Sequence, residues 1–117
     1  KFPGGQTFVI RYDGGVKGRS DCKPHWDSTN DLHSASLVIN LSALDDYVGG
    51  GTEFYEKNGT AAKVACPYRG HGIVFNGTKL FHGGAPVTSG VRFVLVALFK
   101  NKPNFLDAIA EYLFLSK

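Results

Sequence analysis

The sequence predicts an all-β domain of jelly-roll type, a sandwich of short strands with one helix at its end. Three observations carry this reading. Runs of β-branched and aromatic residues alternate with polar ones at the two-residue period of a strand. Fifteen glycines, clustered as Gly14-Gly15, Gly49-Gly50-Gly51 and Gly83-Gly84, break those runs with tight turns. Apolar residues recur at helical spacing only near the C-terminus. With 43% apolar and 20% charged residues, the 117-residue chain has the balance of a folded protein and the length of one domain over residues 1–117. It contains no methionine, so it is expected to be a processed form or a piece of a longer chain.

The elements follow in order. Gln6 to Tyr12 (QTFVIRY) reads as a strand with Phe8, Ile10 and Tyr12 on one face. A polar glycine loop from Asp13 to Asp21 leads to a short strand, Lys23 to Asp27, and a second loop, Ser28 to Ser34. Ala35 to Leu41 (ASLVINL) is the most apolar of the early strands and is expected to be central. Two hairpins come next: Gly51–Lys57 with Thr60–Ala65 around Asn58-Gly59, and Ile73–Phe75 with Lys79–His82 around Asn76-Gly77. Asn-Gly between β-rich runs suits a two-residue type I′ turn. Pro86 to Gly90 reads as a turn, followed by a long strand, Val91 to Lys100 (VRFVLVALFK). Its two faces are Phe93, Leu95, Ala97, Phe99 and Arg92, Val94, Val96, Leu98, so it should be covered on both sides. Asn104 is a fitting N-cap for a helix over Phe105–Leu115, with Leu106, Ile109 and Leu113 on one stripe. That helix is expected to pack outside the sheet.

Composition excludes several classes. The formal net charge of +3, with no basic run or stripe, argues against a nucleic-acid partner. No apolar stretch approaches the roughly 18 residues of a membrane span, and the start shows no signal-peptide pattern. Cys22 and Cys66 allow one disulfide or none, and they lack the spacing of a structural zinc site. The sequons at Asn40, Asn58 and Asn76 fall in a strand and in two turns that account for their asparagines structurally.

The chemistry starts at His25-Trp26-Asp27. Alternate residues of a strand point the same way, so an imidazole and a carboxylate face one spot. One more histidine would complete a 2-His-1-carboxylate triad, which holds iron(II) on one face and leaves three positions open. The remaining histidines are His33, in a polar loop, His71, in an Arg-Gly-His-Gly turn, and His82. Arg92 stands ten residues after His82 and shares its strand face with valines and a leucine. A guanidinium there is costly to bury unless an anion meets it, and its planar fork suits a carboxylate. Trp26 is either a pocket wall or outward-facing packing.

The segments FVIRY (8–12), HWDS (25–28), DYVGGG (46–51) and HGGAPVTSGVRF (82–93) resemble, in content and order, the catalytic segments of the prolyl and lysyl hydroxylase branch of the 2-oxoglutarate dioxygenases. The likeness runs from Phe8 to Phe99. It implies a double-stranded β-helix fold and iron(II) held by His25, Asp27 and His82. It further implies 2-oxoglutarate anchored by Arg92 with Tyr12 against it, ascorbate as reductant, and hydroxylation of a prolyl or lysyl side chain in a protein or peptide, releasing succinate and carbon dioxide. His82 takes precedence over His33 and His71 because Arg92 follows it at the family's spacing. Thr52 departs from the Cys or similar residue of lysyl hydroxylases, and the loop between Asp27 and Ala35 is longer, so the resemblance leaves prolyl and lysyl substrates both open. The same chemistry on a small molecule, or a jelly-roll binding module without turnover, are the alternatives. A nucleic-acid demethylase is disfavoured because no second arginine lies within Phe93–Leu98.

Overall fold

The computed structural model describes residues 6–27, 33–65 and 67–100. Nine strands appear among them: β1 (Gln6–Asp13), β2 (Cys22–His25), β3 (His33–Asn40), β4 (Tyr47–Gly49), β5 (Thr52–Tyr55), β6 (Ala61–Ala65), β7 (Gly72–Phe75), β8 (His82–Gly84) and β9 (Val87–Lys100). The only helical piece among the described residues is a 3-10 turn at Leu44–Asp46. The expected helix over Phe105–Leu115, and Cys66, lie outside the described residues. No helix among the described residues is long and apolar enough to cross a membrane.

The strands form two antiparallel sheets. The larger runs β1-β9-β3-β7, with β4 on the start of β9; the smaller runs β2-β8-β5-β6. This is the jelly-roll arrangement expected from the sequence. In the large sheet, Phe8, Ile10 and Tyr12 stand opposite Val96, Val94 and Arg92. Ser36, Val38 and Asn40 stand opposite Leu98, Val96 and Val94. Directly opposed residues share a face, so the register puts these side chains on the inner face, as the two-residue period requires. Tyr12, Tyr47, Val87, Val94 and Val96 form the buried cluster. The outer face of the same sheet carries Val9 and Phe93, both exposed.

Two local readings change. The Asn58-Gly59 hairpin forms, but as a three-residue loop: Gly59 N donates to Glu56 O (2.9 Å) and Glu56 N to Thr60 O (3.0 Å), with Gly59 at φ 84°. That is a type I turn followed by a glycine bulge rather than a type I′ turn. The Asn76-Gly77 hairpin does not form. β7 pairs with β3 in the large sheet, and β8 with β2 and β5 in the small one. Asn76 O accepts from Lys79 N and Leu80 N, and Asn76 Oδ1 from Thr78 N, so the chain winds there and crosses between sheets.

The expected turn at Pro86–Gly90 is instead the beginning of β9, which starts at Val87. Its backbone partners are β4, with Tyr47, Val48 and Gly49 opposite Gly90, Ser89 and Val87, and loop residues: Val87 N donates to Ser20 O (2.8 Å) and Gly15 N to Val87 O (3.0 Å). Gly90 absorbs the change of partner from β4 to β1 and β3. Its φ is 76°, and a Cβ there would lie 2.8 Å from Tyr47 Cα. Gly90→Ala is therefore expected to lose roughly 1–3 kcal/mol from backbone strain, with more from the clash. Thermal unfolding would show a midpoint lower by roughly 5–15 °C; an unchanged midpoint would contradict this account.

Candidate metal and anion site

The two sheets face each other across a cavity of about 220 Å³, lined from the large sheet by Phe8, Tyr12, Ser36, Arg92 and Val96 and from the small sheet by His25 and His82, among others. Asp27, just beyond β2, joins them there.

β2 and β8 are antiparallel, and His25 and His82 are direct partners in their register. Both rings therefore emerge on the same side, with centroids 4.6 Å apart. Asp27 follows two residues later and brings Oδ1 to 3.4 Å from His25 Nε2 and 3.4 Å from His82 Nε2. Three potential ligand atoms, one from each residue, lie within 4.8 Å of one another. Ligands at right angles about an ion roughly 2.1 Å away would be ~3 Å apart; the two 3.4 Å distances to Asp27 Oδ1 are somewhat wider than that, so the group converges as one face of a coordination site would and would draw together on binding.

The imidazoles are oriented in the same way. His25 Nδ1 lies 2.8 Å from Lys23 O, and His82 Nδ1 2.7 Å from Leu80 O. A carbonyl can only accept, so each Nδ1 carries the proton and each Nε2 presents its lone pair to the shared point. Burial pushes the Asp27 carboxyl up, but the hydrogen bonds from His82 and Ser36 and the nearby imidazoles outweigh it and leave it below its ordinary value. Burial pushes His82 down, while Asp27 and the Leu80 carbonyl hold its proton more strongly and raise it overall. The group is thus an anion beside two imidazoles whose Nε2 atoms point to one place; when His82 Nε2 gives up the proton it shares with Asp27, the arrangement suits a divalent cation.

At the inner end of the cavity lies Arg92, 2% exposed. Its Nε and Nη2 have no hydrogen-bond partner among the described residues. Tyr12 and Tyr47 flank it, each ring centroid 5.7 Å from the guanidinium carbon. Ring faces compensate a cation by only about 1–2 kcal/mol, whereas the effective cost of burying an unpaired ion is several. The geometry leaves a place for a carboxylate. Burial pushes the Tyr12 phenol up to about 12; Cys22 and Asp21 act in the same direction and Arg92 against them.

All five site residues expected from the sequence line this one cavity: His25, Asp27, His82, Arg92 and Tyr12. His71 is exposed and packs edge-on to Tyr68, 6.0 Å between centroids, away from the cavity. Trp26 is 59% exposed and stacks on Phe81 at 4.3 Å, so it is outward packing rather than a pocket wall. Asn40 is fully buried and donates to Ser42 O and Pro67 O, which agrees with a structural role for that sequon. Sequence reasoning missed Ser36, whose hydroxyl donates to Asp27 Oδ2, and Tyr47 beside Arg92. Tyr47 carried a signal as the aromatic residue preceding the glycine triplet, whereas Ser36 carried none.

These features are those of an iron- and 2-oxoglutarate-dependent oxygenase. The sequence matches the 2OG-Fe(II) oxygenase superfamily over residues 7–100, and the chain belongs to that family. It is 29% identical over 93 residues to procollagen-lysine,2-oxoglutarate 5-dioxygenase 1 of Rattus norvegicus, covering 78% of this chain and 12% of that protein. The chain therefore spans a small part of this relative's length. In fold it is similar to a prolyl-4-hydroxylase from Pseudomonas putida, with a TM-score of 0.66 and 20% identity, over 84% of this chain and 53% of that one. A second fold relative is the viral collagen prolyl hydroxylase from Paramecium Bursaria Chlorella virus-1, with a TM-score of 0.55 and 22% identity over 83% and 60% of the two chains.

The family implies iron(II) and 2-oxoglutarate. The residues present fit both: two nitrogens and a carboxylate oxygen for the metal, and a buried guanidinium with unpartnered N–H groups for a carboxylate.

A raised phenol pKa means that Tyr12 contributes stability present below its unfolded value near 10 and lost as pH rises through about 12. It also keeps Tyr12 a hydrogen-bond donor across the working pH range. In an alkaline ultraviolet titration, Tyr12→Phe should remove one phenol that ionises near 12. Loss of a phenol ionising near 10 would overturn this assignment.

Proposed function

We propose that this domain is a dioxygenase that hydroxylates a prolyl or lysyl side chain of a protein or peptide, with iron(II) held by His25, Asp27 and His82 and 2-oxoglutarate anchored by Arg92. The single observation that carries the reading is the convergence of three ligand atoms within 4.8 Å in a cavity that also holds a buried guanidinium whose Nε and Nη2 lack a partner among the described residues. The nature of the relatives supports a peptide substrate, since one is a procollagen-lysine dioxygenase and others are prolyl hydroxylases. Ascorbate is the reductant this chemistry would call on.

Iron(II), 2-oxoglutarate and dioxygen together supply the oxidising power, one oxygen atom entering a C–H bond and the other the succinate formed as carbon dioxide leaves. The chain's own residues bind, orient and shield. Arg92 takes the far carboxylate of 2-oxoglutarate in its fork, and Tyr12 donates its hydroxyl hydrogen toward the same end. The Lys23 and Leu80 carbonyls hold the imidazole protons at Nδ1, away from the metal side. Val94, Val96 and Phe75 give the cavity apolar walls that keep water from its interior. His25, with its side chain 42% exposed, marks the side from which a substrate reaches the metal.

Two measurements test the proposal. An assay of 2-oxoglutarate decarboxylation against peptides containing Pro or Lys, with mass spectrometry, should show iron-dependent succinate and the gain of one oxygen on one peptide class; His82→Ala should abolish both. Wild-type turnover in that variant would remove His82 from the metal. Arg92→Ala should raise the 2-oxoglutarate concentration needed for half-maximal rate by roughly 100-fold or more, as expected for losing a charge-assisted pair. The iron requirement should stay nearly constant; equal effects on both would make Arg92 merely structural.

A further inference from the structure

Asp27 is the least anchored of the three ligands by secondary structure. β2 ends at His25, so no sheet ladder fixes the residues that follow. Two contacts replace the ladder. Asp27 N donates to Gly77 O (2.9 Å), and Ser36 Oγ donates to Asp27 Oδ2. Ser36 sits on β3, with Phe75 on one side and Leu98 on the other, and is 2% exposed. Its hydroxyl therefore reaches Asp27 from the rigid middle of the large sheet, while the histidines belong to the small one. The oxygen it engages is Oδ2; the other, Oδ1, is the one 3.4 Å from both imidazole nitrogens.

Gly77 makes this approach possible. It is absent from the glycines with positive φ, so its backbone would accept a side chain. The space would not: a Cβ there would lie 2.7 Å from Asp27 Cγ and press on both Asp27 Oδ2 and Ser36 Oγ. A residue that reads as a turn glycine is therefore needed for room.

We infer that Ser36, with Gly77 making space for it, is the positioning residue that makes Asp27 a one-oxygen ligand. The consequence is one of counting. A carboxylate free to rotate can bind a metal through both oxygens. With two imidazoles, that would leave two of six positions, where a chelating 2-oxoacid and dioxygen need three. Occupying Oδ2 with a buried hydroxyl keeps the third position open and spares the carboxylate the entropy cost of being oriented by the metal alone. This rests on the reading of the site as a divalent metal centre, and it concerns the metal rather than the substrate.

The test titrates metal-free protein with Mn(II) by calorimetry and records the unfolding temperature of each metal-free variant. Ser36→Ala should melt close to the wild type yet bind Mn(II) about 10- to 100-fold more weakly, the usual effect of removing a ligand's hydrogen-bond partner. The visible spectrum of the Co(II)-loaded protein should change with it. Gly77→Ala, which keeps the hydroxyl but displaces the pair, should weaken binding in the same direction. Ser36→Ala binding within twofold of wild type would overturn the inference; should that variant not fold, Gly77→Ala binding within twofold would do so. A wild type that binds no Mn(II) would instead overturn the metal-site reading itself.

Discussion

A guanidinium held in a protein interior with nitrogens that lack an acceptor is a constraint that the surrounding structure has to satisfy. Arg92 is in that situation at Nε and Nη2 among the described residues, and much of the architecture can be understood from it. The residue lies on β9, the strand that pairs with β1, β3 and β4. The two tyrosine rings beside the cation shield it but leave Nε and Nη2 without an acceptor among the described residues. The unmet demand at the inner end of the cavity and the three converging ligand atoms nearer its mouth are complementary. A small dicarboxylate bound to a metal by one end would meet both.

The two sheets divide the work. The large sheet contributes Arg92 and the apolar wall; the small one contributes both histidines. Asp27 belongs to neither ladder and is tied to both, through Ser36 on β3 and through the Gly77 carbonyl in the segment between β7 and β8. Relative placement of the sheets therefore fixes the distance between imidazoles and carboxylate.

The legible parts of the sequence were those governed by a short period or by the cost of burying charge. Alternation alone puts Phe8, Ile10 and Tyr12 on one face, and Arg92 stands out because valines share its side of the strand; the register agrees with both. What escaped was set by partners far along the chain. Asn76-Gly77 has hairpin chemistry, yet β7 and β8 each find longer-range partners in different sheets. Pro86–Gly90 has turn composition, but β4, a distant strand, and loop residues supply its backbone partners, and Gly90 permits the strand to change partners without ending. Ser36 is one serine among several, and nothing in its neighbours announces that its hydroxyl meets a carboxylate nine positions earlier.

The outward stack of Trp26 on Phe81 has a practical side. Trp26 is the chain's single tryptophan, it stands between His25 and Asp27, and its ring rests on the residue preceding His82. An indole on the reverse side of the histidine-bearing strands is a native fluorophore for that locus. Its emission can be followed with no added label, and quenching by a paramagnetic ion would be a spectroscopic record of events on the opposite face of the sheet.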